Sequence, residues 1–318
     1  MTVMSAATVG WYAFAFLVFP GFLFSLAGGL LASWVDRKVS ARVQWRVGPP
    51  LGQPLFDVVK LLGKETIVPE GANRLVFLVA PLVGLAAATV VSTILWMANL
   101  FAVSFVGDLI VVVYLFILPP VSVMIGGFAS GNPLAATGAS REMKLILAYE
   151  LPFLISLAVA IIRSDLSIHL VDIAARPVAG SVSGLLAFLV SLLCVQAKLG
   201  FTPFDVAEAE TEIMGGVYIE YSGAPLAVFK LTQAMLLIAL PVFMATVFLG
   251  GMHFSGWGIL WAILKYLLVV VLVILIKNTN PRVRIDQAVR FFWKYMTPVG
   301  VLAAALALAG RAFGIPWL

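Results

Sequence analysis

Apolar runs of about twenty residues or more recur eight times along this 318-residue chain, a length that crosses a bilayer as a helix. They cover roughly residues 9–35, 75–98, 107–127, 143–163, 180–200, 224–249, 256–276 and 295–314. The expected fold is an all-α integral membrane protein, one membrane domain over residues 1–318 with about eight transmembrane helices. Composition agrees, with 62% hydrophobic and 11% charged residues. Soluble domains sit nearer 45–50% and 25%. Mean hydropathy is +1.09. No signal peptide is expected, because Met1 to Gly10 lacks a basic start. No internal repeat stands out, so an inverted-repeat transporter plan gains no support.

The basic residues orient the spans. Arg37, Lys38, Arg42, Arg46, Lys60, Lys64, Arg74, Arg141, Lys144, Lys198, Lys277, Arg282, Arg284, Arg290 and Lys294 fall on one side. Only Arg163, Arg176 and Arg311 fall on the other. The positive-inside rule then puts both termini outside a plasma membrane and the long polar loops in the cytoplasm. No nucleic-acid motif accompanies the basic first loop, so no nucleic-acid partner is expected.

The redox inventory is nearly empty. Cys194 is the only cysteine, and His169 and His253 are the only histidines. Iron–sulfur clusters need several thiolates and haem needs an axial ligand, so no metal site is expected in this chain.

The charged residues cluster in two loops. The first reads DRKVSARVQWRVGPPLGQPLFDVVKLLGKETIVPEGAN from Asp36 to Asn73. Within it, residues 54–67 show helical spacing: Leu55, Val58, Val59, Leu62 and Ile67 on one side, and Asp57, Lys60, Lys64 and Glu65 mostly on the other. That pattern predicts an amphipathic helix on the cytoplasmic membrane surface, serving as a simple anchor or as the floor of a cavity under a docked domain. The second loop reads PFDVAEAETEIMGGVYIEYSG from Pro203 to Gly223 and holds Asp205, Glu208, Glu210, Glu212 and Glu220. A helix over 204–213 would set Asp205, Glu208 and Glu212 on one face, with Glu210 elsewhere. Such neighbours raise one another's proton affinity and are suited to storing or relaying protons. The alternative is a solvated face.

Two acids lie in or at spans. Glu150 follows Tyr149 within residues 143–163, and Asp108 opens the third span. A carboxylate at membrane depth points to function. Asp108 is equally well placed as a helix N-terminal acid favoured by the dipole. Lys230 and Lys265 lie in spans and are placed either to snorkel or to pair with these acids.

These segments together resemble a known family. DRKVSARVQWRVGPP, QPLFDVVKLLGKE, AYELP, and PFDVAEAETE with IEYSG are similar to the complex I membrane subunit at the junction of the membrane and peripheral arms. The family includes the corresponding subunit of energy-converting membrane-bound [NiFe]-hydrogenases and their sulfur-reducing relatives. Quinone-reducing members carry an Asn-Arg pair shortly before PFD, where this chain has Gly200-Phe201. That departure resembles the hydrogenase branch.

The resemblance implies a non-catalytic subunit of a multisubunit oxidoreductase. Its role would be to anchor the complex and to couple electron transfer to proton or sodium translocation. Tyr149, Glu150, Asp205, Glu208, Glu210, Glu212 and Glu220 would begin the ion path, with Asp108 a further candidate. Arg37, Lys38, Arg42 and Arg46 would seat peripheral subunits. The chain itself would hold no cofactor. Iron–sulfur clusters and a nickel–iron centre belong to partners, namely peripheral iron–sulfur and large hydrogenase-like subunits beside antiporter-like membrane subunits. The alternatives are the quinone-site subunit of a respiratory complex I, a stand-alone cation transporter or a passive anchor.

Overall fold

The computed structural model describes residues 6–315 and 317–318, and the side chains from residue 10 onward apart from 316. Among them the regular structure is helical, without strands. Seven helices are long and apolar enough to cross a membrane, or eight if one bent pair counts as a single span.

α1 (Ala6–Leu17) and α2 (Phe22–Val43) form the first span. α3 is Gln53–Leu62, α4 Arg74–Phe101, α5 Asp108–Leu115, α6 Leu118–Ala129 and α7 Pro133–Arg163. α8 (Leu170–Ala174) and α9 (Val182–Lys198) flank the sharp bend, 106° across a short 3-10 turn at Val178–Gly180. α10 is Glu210–Ile213, α11 Gly223–Phe248, α12 Gly258–Thr279, α13 Ile285–Phe291 and α14 Thr297–Ala312. A π turn, Phe292–Met296, joins the last two.

α11 is the axis of the bundle. It is apolar all round, which suits a helix surrounded by others. It packs on α2, α4 and α12 and against α3 at one end. α7, α9 and α14 form a second group, tied to the first through α6 and α11. Polar side chains cap the helices that begin near the acid loop. Asn73 Oδ1 accepts from Val76 N–H at 3.3 Å, and Asn132 Oδ1 from Leu134 N–H at 2.8 Å. Each satisfies an orphan first-turn donor.

Several boundaries differ from the sequence reading. The amphipathic helix ends at Leu62, not Ile67, because Gly63 follows and the chain turns out of the helix toward the Glu65 carbonyl, which accepts from Ser222 Oγ at 3.2 Å. The expected helix over 204–213 shrinks to Glu210–Ile213. Pro203 has no N–H to give a helix. Val206, Ala207 and Ala209 are buried, and the acids around them, Asp205, Glu208 and Glu212, are drawn to different surroundings. The fourth span begins at Pro133, ten residues before the expected start, and its polar first half lies against the acid loop.

Candidate functional site

The acid loop docks against the polar half of α7 because Gly138 lets its backbone approach. A Cβ there would lie 2.8 Å from the Ala207 carbonyl oxygen and 2.9 Å from Val217 N. The loop's carboxylates then diverge. Asp205 takes a bidentate pair from Arg282, with Nε to Oδ1 at 2.9 Å and Nη2 to Oδ2 at 2.5 Å. Glu212 pairs with Arg141 of α7 at 2.5 Å. Glu220 Oε1 accepts from Asn132 Nδ2 at 2.5 Å, bracing the start of α7. Glu210 is exposed. The shared face of Asp205, Glu208 and Glu212 is therefore not formed, because each of the outer two has its own arginine.

Glu208 alone turns inward. It lines a narrow cavity of about 50 Å³ with Glu142, Lys198, Tyr218 and Gln233. About 10–15 Å³ admits one water, so this cavity has room for a few. Burial pushes the Glu208 carboxyl above the usual range. Lys230 and Arg282 oppose the rise, while Asp205 and Glu210 add to it. Burial also raises Tyr218, and Lys230 Nζ sits 5.3 Å from the centre of its ring.

Two turns deeper, Lys198 Nζ donates to Glu150 Oε2 at 2.7 Å. The ammonium lies 4.9 Å from the Tyr149 ring centre and 4.8 Å from that of Phe153, a cation–π cage in a desolvated site. Glu150 Oε1 and the Tyr149 hydroxyl have no protein partner among the described residues. Lys198 faces both Glu150 and the water-sized cavity, so it joins the loop acid to the mid-span acid.

A wider cavity of about 420 Å³ opens between α2, α3 and α11. Asp36, Arg37, Asp57, Lys230 and Lys277 line its polar part, and Phe201 lines the apolar part. Arg37 pairs with Asp57 at 2.6 Å and holds its carboxyl below the usual range. Lys277 pairs with Asp36 at 2.8 Å and lies 4.3 Å from the Phe201 ring centre. Gln233 lines both cavities. Gly200 and Phe201 thus stand at the junction, and cations from α2, α11 and α12 supply donors that their own side chains lack.

The basic end of α2 and the turn beyond it behave differently. Lys38 donates to the Gly48 carbonyl at 3.4 Å, while Arg42 and Arg46 are exposed beside Trp45, which is 98% exposed. Asp108 lies at the opposite end of the bundle, where α4 finishes, apart from the acids of the loop and Glu150. It is buried, and its Oδ1 accepts from Leu109 and Leu170 N–H, both at 2.8 Å. Lys265 likewise pairs with no acid and donates to the Gly250 and Gly251 carbonyls.

Sequence reasoning missed Glu142 and the roles of Lys198, Asp36 and Lys277. Glu142 looked like a loop residue because apolarity begins only after Lys144. Its spacing of eight residues from Glu150, about two helical turns, was the available signal. No group of three or more His, Cys, Asp or Glu side chains that would hold a metal occurs among the described residues.

A helical membrane subunit with an acidic path from a polar loop into its interior is the class these features define. The chain belongs to the NADH dehydrogenase family, whose sequence profile matches residues 15–308. It is 35% identical over 300 residues to the H-type subunit of NADH-quinone oxidoreductase from Geobacillus kaustophilus, covering 90% of this chain and 89% of that one. It is 36% identical over 319 residues to the same protein of Thermomicrobium roseum, covering 90% and 93%. Its fold is similar to a chain of the membrane-bound sulfane sulfur reductase, an archaeal respiratory membrane complex, with TM-score 0.84, 26% identity and coverage of 94% and 99%. This is a multi-span membrane subunit of the complex I-like type.

Proposed function

We propose that this chain anchors an energy-converting redox complex of the membrane-bound hydrogenase branch and couples its electron transfer to proton or sodium movement. The observation that carries the reading is the run of titratable groups Glu208, Glu142, Lys198 and Glu150. It passes from the cytoplasmic loop through a water-sized cavity into the bundle. A change of charge or shape at the docked redox subunits reaches Glu208 through the wide cavity, with Lys230 and Gln233 at the passage. A proton gained at Glu208 is then offered to Glu142 and, across Lys198, to Glu150. The Lys198 ammonium balances Glu150 until a second positive charge arrives nearby, and the displaced proton continues into neighbouring antiporter-like subunits.

The exposed Arg42, Trp45 and Arg46 fit the seating of peripheral iron–sulfur and large hydrogenase-like subunits, since Trp and Arg dominate interface energetics. The iron–sulfur clusters and nickel–iron centre belong to those partners. Both termini lie on the outer face of the plasma membrane.

The test uses the whole complex in proteoliposomes. Glu142→Gln and Glu150→Gln should each leave electron transfer running while ion translocation per turnover falls about a hundredfold, the scale of losing a positioned proton-transfer group. Translocation at the parent ratio in both variants would remove the path.

A second reading, the quinone-site subunit of a respiratory complex I, is favoured by the 420 Å³ cavity with its cationic lining. A quinone headgroup needs convergent polar partners in an otherwise apolar pocket. Reduction of ubiquinone analogues by the purified complex, blocked by tunnel-filling inhibitors and lost on Lys230→Met, would select it over the hydrogenase branch.

A further inference from the structure

A groove of about 600 Å³ runs along α12 and α13, beside the start of the acid loop. Its floor is apolar, built from Leu193, Phe204, Ile276 and Phe291. Its rim is cationic, with Arg290 and Lys294 one turn apart. The π turn at Phe292–Met296 begins between them and widens the helix at this point. The segment is fixed from below, since Val283 N–H donates to the Pro203 carbonyl at 3.0 Å and Phe204 packs on Phe292 with ring centres 4.8 Å apart.

Several cations at this end of the molecule are neutralised in place. Arg37, Arg141, Lys277 and Arg282 each pair with a carboxylate. Arg290 and Lys294 form no ion pair among the described residues and are exposed. Asp286 is the nearest acid on the same helix, and it lines the neighbouring groove with Lys144 and Arg290, so the face stays net positive. Trp293 and Tyr295, 57% and 55% exposed, mark the headgroup level as an aromatic belt does.

We propose that this groove is a binding site for an anionic phospholipid of the cytoplasmic leaflet. Arg290 and Lys294 take the phosphodiester, and one acyl chain lies along Phe204, Ile276 and Phe291. Basic pockets between helices on this side of a membrane suit acidic headgroups. The volume is that of a small-molecule site. The leaflet rests on the orientation given above. The site itself does not depend on the coupling role. Because Phe204 begins the acid loop, a bound lipid also braces the loop that carries Glu208.

The experiment uses the purified complex in nanodiscs of phosphatidylcholine with or without phosphatidylglycerol, and reads retained lipid by native mass spectrometry after stripping with detergent. Parent complex should retain phosphatidylglycerol in preference to phosphatidylcholine. R290Q/K294Q should weaken that preference about thirty-fold, the effect of removing two cations near an anionic surface. Lys144→Gln, in the neighbouring groove, should change it far less. A photo-crosslinking residue at Tyr295 in the otherwise unaltered complex should label lipid. Equal retention in the double variant, or labelling of a partner subunit from position 295, would overturn the proposal. The crosslink decides the question even if the double variant fails to assemble.

Discussion

Glu150 and Asp108 are both membrane-embedded carboxylates with one oxygen bonded and one without a protein partner, yet they sit in opposite surroundings. Asp108 is held by two backbone amides, from its own helix start and from the first residue of α8. Among the described residues no Lys or Arg pairs with it, and His169, just before α8, is the basic side chain near it. It fastens α8 to α5, a capping role strengthened by the helix dipole. Glu150 is held by an ammonium, beside a cavity containing a second and a third carboxylate. A buried acid fixed by amides has one stable charge state to serve. An acid fixed by a cation in reach of water and other acids has several states close in energy. The partner, more than the depth, separates a staple from a relay.

The largest test of that contrast is Lys198→Met. It leaves the Glu150 carboxylate buried without its cation, and removing one partner of such a pair costs about 3–5 kcal/mol. The detergent-solubilised complex should lose thermal stability sharply, and Lys198→Met with Glu150→Gln should recover most of the loss. A single variant as stable as the parent would show that the pair is solvated and not a relay element.

Next comes Asp108→Ala, which leaves the amides of Leu109 and Leu170 without their acceptor and should cost about 1–3 kcal/mol. Ion translocation per electron should be unchanged in the folded fraction. A loss of coupling without loss of stability would move Asp108 into the path and erase the distinction.

Glu208 supplies a pH test. Its carboxyl pKa is raised in the folded protein, so the folded state binds a proton that the unfolded chain releases at lower pH. Its burial therefore lowers stability as pH rises above the ordinary glutamate value of about 4.3, until the raised pKa is passed. Glu208→Gln should flatten that decline, by a margin below that of the Asp108→Ala change. Thermal melts across that range check it. A decline equally steep in the variant would place the titration on another group.

The smallest effect is expected from Asp108→Asn. The amide oxygen still accepts from both N–H groups, so stability should shift by less than about 1 kcal/mol and coupling not at all. A coupling defect here would mean the charge of Asp108, and not its geometry, matters.

Much of the molecule was legible from residue order. Long apolar runs specify helices because a bilayer leaves the backbone no other partner, and the loop acids stood out against them. Gly63 and Pro203 were visible stops whose effect the helical spacing of residues 54–67 and 204–213 obscured. Glu142 was lost because a polar helical turn that packs against a polar loop carries no hydropathy signal. Its neighbour Arg141 is helical for the same reason, held by Glu212 from a loop more than sixty residues later.

By itself, then, the sequence determined the membrane class, the helical content and the stock of charges, since these depend on local composition and period. It did not determine which charge meets which. Asp205 with Arg282, Lys198 with Glu150 and Lys277 with Asp36 are separated by 77, 48 and 241 residues, and only tertiary packing brings each pair together, Lys198 and Glu150 across the contact of α9 with α7. Glu208 became the inward-facing acid of its loop because arginines on α7 and beside α13 captured the acids on either side of it. That competition is a property of distances in space, and no spacing along the chain records it.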